Sequence, residues 1–103
     1  MGAELVLRVW IDGQDMGAVS MAHVGPSDGE ESGILVNTEI KLVGPSMVLE
    51  KAMLQEFQRG KNSLLLTLEF PDGRKFNGSH VWIKEIVAGS SLTFLAGRGG
   101  WSS

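Results

Sequence analysis

Cysteine is absent from the chain, which excludes disulfides, thiolate metal sites, cysteine nucleophiles and thiol redox switches. Histidine is scarce. His23 and His80 are the only imidazoles, so acid–base or metal chemistry has little to draw on. No uninterrupted apolar run approaches the roughly 20 residues that span a bilayer. Positive charge is in deficit: nine Lys and Arg stand against twelve Asp and Glu, for a formal charge of −3 and a pI near 5.3. Nucleic acids and anionic membranes demand a basic face, so neither is expected as a partner. The opening Met1-Gly2-Ala3-Glu4 lacks the basic and apolar regions of a secretory leader. Val6 stands where a myristoylation motif wants Ser or Thr. The expectation is a chain that is cytoplasmic at synthesis, with a virion or an exported assembly left open as its destination.

What is present reads as one globular domain over residues 1–103, with 43% hydrophobic and 20% charged residues. Such a chain can bury a modest core. Residues 4–11 alternate, with Leu5, Leu7, Val9 and Ile11 on one face and Val6, Arg8 and Trp10 on the other. That period of two predicts a strand. Asp12-Gly13 favours a tight turn, and a weaker strand from about Met16 to Val24 is expected to pair back as a hairpin. Residues 25–33, Gly-Pro-Ser-Asp-Gly-Glu-Glu-Ser-Gly, carry nothing to bury and predict a flexible loop. Alternation resumes over 34–43, with Ile34, Val36, Thr38, Ile40 and Leu42 on one face.

The period then changes to 3.6. Ser46 is a good N-cap, Leu49, Met53 and Phe57 stack at i, i+4 and i+8, and Gly60 suits the left-handed residue that ends a helix. A helix over 47–59 is too short to stand alone and must lie on a sheet, with Leu49, Met53 and Phe57 buried. Leu64, Leu66, Leu68 and Phe70 form one face of the next strand, and Leu65, Thr67 and Glu69 the other. Pro71-Asp72-Gly73 turns the chain into a return strand from about Arg74 to Val87, bent near Asn77-Gly78. A last strand starts at Leu92, and residues 97–103 form a flexible tail by composition. The order β-β-loop-β-α-β-β-β predicts an α+β fold, mainly antiparallel, as a small barrel or sandwich with one helix on its side.

No motif identifies a chemistry. Asp12-Gly13-Gln14-Asp15 resembles the start of a calcium loop, but Met16 and His23 occupy the fifth and twelfth positions where oxygen ligands belong. Gly44-Pro45-Ser46 lacks the lysine and spacing of a phosphate loop. Ser63, Ser79, Ser90 and Ser91 have no base or acid at motif spacing. The reading is therefore of a non-enzyme, with no catalytic residue, no cofactor, no metal and no small-molecule substrate.

What remains is surface. Trp10, Leu65 and Trp82 lie opposite the apolar faces of their strands, and Trp101 sits in a Gly-rich tail where it needs a partner or stays exposed. The first strand, guarded only by Glu4 and Arg8, reads as an edge open to pairing. Trp10, Asp28, Glu30, Glu31 and Trp101 are the residues expected at an interface.

Lys41-Leu42-Val43-Gly44-Pro45-Ser46, the helix through Gly60, Leu66-Thr67-Leu68-Glu69-Phe70, Asp72-Gly73, Val81-Trp82-Ile83-Lys84-Glu85-Ile86 and Ser90-Ser91 follow one another in an order that resembles the central part of the haemolysin-coregulated protein and phage tail-tube superfamily. The resemblance covers about half the chain, from Glu39 to Ser91. In the family the serine–proline pair stands in the opposite order, and the chains are usually longer. The resemblance implies a β-barrel subunit with a side helix that self-associates into rings or tubes through sheet-edge and loop contacts, without catalysis. The alternative is a small protein-binding module or inhibitor from a mobile element, its acidic loop meeting a basic patch on a partner protein.

Overall fold

A computed structural model describes residues 4–6, 8–31, 34–60 and 63–102, with side chains described outside 4–6, 27–31 and 34–36. The strands are β1 (Glu4–Val6), β2 (Arg8–Ile11), β3 (Gln14–Asp15), β4 (Val19–Glu31) and β5 (Ile34–Pro45). The helix α1 (Met47–Arg59) follows, and then β6 (Leu64–Glu69), β7 (Lys75–Val87) and β8 (Ser91–Ser102). All pairings are antiparallel and run β1-β4-β5-β8-β7-β6-β2-β3. The fold is α+β, mainly antiparallel sheet with a single helix among the described residues.

β1 stands at one end of this order and β2 beside the other, yet one residue separates them in the chain. Glu4 and Val6 pair with Ala22 and Val19 of β4, whereas Arg8 to Ile11 pair with Glu69 to Leu66 of β6. Strands one position apart in the chain therefore lie at the two ends of the sheet order, which brings those ends together and curls the sheet into a barrel. This corrects the expectation that residues 4–11 form an open edge. The hairpin partner expected over Met16–Val24 also differs. Only Gln14 and Asp15 pair back onto β2, across a two-residue turn with Asp12 and Gly13 both at positive φ, and β4 starts afresh at Val19.

The alternation sorts the side chains as expected. Val9, Ile40, Leu42, Leu66, Leu68, Phe76 and Phe94 fill the interior, while Leu65 is exposed. Trp82 and Leu95 are also buried, but they pair across β7 and β8 on the opposite face and form a separate two-residue cluster.

Ser46 caps α1 and anchors it: its Oγ accepts from Leu49 N at 3.1 Å and donates to Met16 O, outside the helix, at 2.9 Å. Gly60, at φ 75°, supplies the left-handed C-terminal residue. Glu50 Oε1 accepts from the backbone N–H of Gly89 in the β7–β8 turn. The helix is thus pinned to two turns at the same end of the barrel, with Leu49 and Met53 inserted into the core.

Phe57 is a correction. It is 51% exposed, because the helix inserts its first turns into the core and carries the next stacked position, four residues on from Met53, out of it. The segment read as a flexible loop also differs, since β4 runs to Glu31 and pairs Gly25, Pro26, Gly29, Glu30 and Glu31 with Glu39, Thr38, Val36, Leu35 and Ile34. Backbone pairing needs no apolar side chain, so a polar, Gly-rich composition does not forbid it. Ser32 and Gly33 lie outside the described residues. The segment read as a flexible tail is strand through Ser102, paired with β7 back to Lys75; Ser103 lies outside the described residues.

Met53→Ala is expected to cost about 2–5 kcal/mol in chemical denaturation. Phe57→Ala is expected to stay within about 1 kcal/mol of the parent, as an exposed position should.

Candidate interaction surfaces

The two poles of the barrel differ. At the pole away from α1, β8 ends with Gly97-Arg98-Gly99-Gly100-Trp101-Ser102. Trp101 pairs with Phe76 in register and turns its ring onto the buried Phe70 and Phe76, with centroids at 5.3 and 5.4 Å. The Arg74 guanidinium lies 4.9 Å from the Trp101 centroid and 5.5 Å from that of Phe70. This corrects the reading of Trp101 as a loose arm. The ring packs on its own barrel, although it stays 44% exposed and forms part of the rim.

At this pole the sheet forks. Among the described residues, β5 pairs with β8 only from Thr38↔Ala96 to Val43↔Ser91. Beyond that point β5 continues with β4 alone, and β8 continues with β7 alone. Among the described residues, Ile34–Asn37 and Gly97–Ser102 thus each have one backbone edge with no strand beside it. β4 likewise lacks a strand on its outer side from His23 to Glu31 among the described residues. A cleft of about 320 Å³ opens in the fork, with Pro26, Thr38, Phe76 and Trp101 among its walls.

Gly99 keeps the fork narrow at its base. A Cβ there would stand 2.5 Å from Phe76 Cζ and 2.9 Å from Thr38 Oγ1.

At the opposite pole, α1 turns an apolar arc to solvent. Met47, Val48, Leu54 and Phe57 are exposed, Met47 at 89%. A groove of about 780 Å³ runs along this arc, with Pro45, Met47, Lys51, Leu54 and Gly89 in its walls. The spacing of Met47, Leu54 and Phe57 was available in the sequence, but one 13-residue helix with apolar residues on two sides does not announce which side faces the sheet.

Of the sequence-predicted interface residues, Trp10 and Trp101 lie at different places on the barrel. Trp10 points away from the core between buried Val9 and Ile11, with the Lys75 ammonium 5.9 Å from its ring. Trp101 lies at the barrel rim. Asp28, Glu30 and Glu31 fall on the β4–β5 ribbon beyond the fork, and their side chains lie outside those described.

His23 on β4 and His80 in a β7 bulge are separated by β5 and β8. Among the described residues no three His, Asp or Glu side chains gather as a metal site. None of the described helices is long and apolar enough to cross a membrane.

Two exposed carboxylates are tuned locally. The Gly17 backbone N–H, and then the Arg8 guanidinium at 2.6 Å, hold the Asp15 carboxyl below its usual 3.8. The Arg74 backbone N–H and side chain do the same for Asp72. Both contacts tie down the ends of short turns.

Compared with known proteins, the chain matches no family model and no curated relative.

Gly99→Ala should cost about 1–3 kcal/mol by displacing the Phe76 ring, an overpacking effect. Loss of signal dispersion for Phe76 and Trp101 in NMR spectra is the accompanying sign. A second expectation concerns acid. The folded pKa values of Asp15 and Asp72 are depressed, so each carboxylate stabilises the fold above the usual 3.8, and that contribution is lost as pH falls through the lowered folded value. Asp15→Asn and Asp72→Asn should therefore be slightly less stable than the parent at neutral pH. The gap should close in urea titrations below the carboxylate range, and it is small because both groups are exposed.

Proposed function

We propose that the protein is a non-enzymatic assembly subunit that works by self-association, with a phage tail-tube-like or related virion subunit as the concrete form. The observation that carries this reading is the fork. Edges on β5 and β8 that have no neighbouring strand among the described residues offer backbone donors and acceptors that a closed barrel otherwise satisfies internally. These edges and the helix arc are different surfaces at opposite poles. Contacts between unlike surfaces are heterologous, and they build rings or open stacks rather than closed dimers.

The exposed arc of α1 supports the same reading. Large apolar side chains held in water contribute nothing to a monomer, and contiguous ones mark contact sites. Trp10 on the barrel wall and the acidic β4–β5 ribbon add further contact groups. The resemblance in element order to the tail-tube superfamily points the same way.

Sedimentation velocity over a concentration series tests the reading. Species heavier than the 11.1 kDa chain are expected, growing with concentration. Leu54→Glu combined with Phe57→Glu, and Trp10→Ser separately, should weaken association while leaving the melting temperature nearly unchanged. A parent that stays monomeric at every concentration contradicts self-association. The groove along α1 would then make the protein-binding module the better account.

A further inference from the structure

β5 and β8 are antiparallel neighbours up to Thr38↔Ala96 and separate beyond that pair. Among the described residues, the prong made by β4 and β5 keeps an open edge over Ile34–Asn37, and the prong made by β7 and β8 keeps one over Gly97–Ser102. Both edges face the same gap. An extended segment lying there is antiparallel to one prong and parallel to the other, and each edge offers it backbone donors and acceptors.

The gap also receives a side chain. Pro26, Thr38, Phe76 and Trp101 wall the cleft of about 320 Å³ in the fork. Ligand cavities run from roughly 300 to 1,000 Å³, so this one suits a single large apolar side chain better than a whole small molecule. Gly99 stands in the same wall and has no side chain to bar the way in. Beside it, Arg98 is exposed and forms no ion pair among the described residues. Successive residues of a strand point to opposite faces. A segment that turns an apolar residue into the cleft beside Gly99 therefore turns the next one outward, within reach of Arg98, where an acidic residue fits. Asp28, Glu30 and Glu31 do not line the gap, because they stand on β4 and β5 lies between.

A second copy of the chain does not match this gap. Each described strand is already paired along at least one edge, so a strand of a second copy pairs with one prong and leaves the other bare. A segment with both edges free meets both prongs. We propose that the fork captures an extended segment of another protein as an added strand, with a large apolar residue in the cleft and an acidic residue against Arg98. The inference rests on the reading of the fork as a contact surface and names its occupant. The outer side of β4 and the arc of α1 remain for copies of this chain.

The test is an NMR titration of the full chain, at a concentration where sedimentation reads the 11.1 kDa monomer, with the peptide acetyl-Thr-Val-Thr-Phe-Glu-Thr-amide. Saturable shifts are expected in the amides of Gly97 to Trp101 and of Thr38. Serine in place of the peptide's phenylalanine should weaken binding at least about tenfold, the loss of one buried aromatic side chain. Two further peptides, N-methylated at alternate residues in the two possible phases, test the backbone pairing, and at least one of them should fail to bind. Arg98→Glu should weaken binding about two- to fivefold, as befits an exposed ion pair, and lysine in place of the peptide's glutamate should restore it. An unchanged amide spectrum away from the fork would show that this variant keeps the fold. Four results would each overturn the proposal: no saturable shift, undiminished binding of the serine peptide, full binding of both methylated peptides, or an Arg98→Glu variant that binds the glutamate and lysine peptides as the parent does. Sedimentation over the concentration series separates this proposal from self-association. A chain that takes the peptide and stays monomeric throughout contradicts self-association alone, and one that assembles at higher concentration but as a monomer binds no peptide overturns the captured strand alone.

Discussion

The structure depends on β1 and β2, neighbours in the chain, meeting opposite ends of the sheet. Without residues 4–11 the remaining strands would form an open, curled sheet with β4 and β6 as long bare edges. With them, β1 covers the start of β4 and β2 covers β6, and the buried faces of all the long strands turn inward on one core. This is non-local pairing, between residues some 60 positions apart at Val9↔Leu68. The closure entropy is recovered only when the interior fills. Val9 and Ile11 do both tasks, since they sit in the closing segment and are themselves buried.

Closure leaves two ends to seal, and the chain treats them differently. One is filled by Leu49 and Met53 of a helix that is pinned by Ser46 and Glu50 to neighbouring turns. The other is covered by Phe70, Phe76 and Trp101, with Arg74 above them. The helix end is fixed by hydrogen bonds as well as apolar contacts. The aromatic end sits beside a sheet that has already split. Dry core therefore gives way at this pole to unpaired backbone, and the surfaces that invite a partner are consequences of how the barrel ends.

The legible parts of the fold were local. Ser46 and Gly60 bracket the helix because caps act within one turn, and Asp12-Gly13 makes its turn because two adjacent residues suffice. The buried faces of β6 and of the inner half of β5 followed from alternation alone. What the sequence did not disclose depends on distant partners. Trp101 looked loose because Phe70 and Phe76, which hold it, are 31 and 25 positions away. The 25–33 segment looked unstructured because ribbon pairing uses backbone groups, which composition does not display. Phe57 fitted the helical stripe, but a barrel end is narrower than an open sheet and seats only two residues of that stripe. Of the expected interface residues, Trp10 and Trp101 are surface groups in different places.

Closure by the first segment is the claim on which both poles rest, and amide hydrogen exchange of the peptide spanning residues 4–11 measures it most directly. If that segment pairs with β4 and β6 at once, its amides should exchange as slowly as those of β6 and β7, at the rate of global unfolding. Rapid exchange over 4–11 with β6 and β7 still protected would show an open sheet, and the barrel would be contradicted.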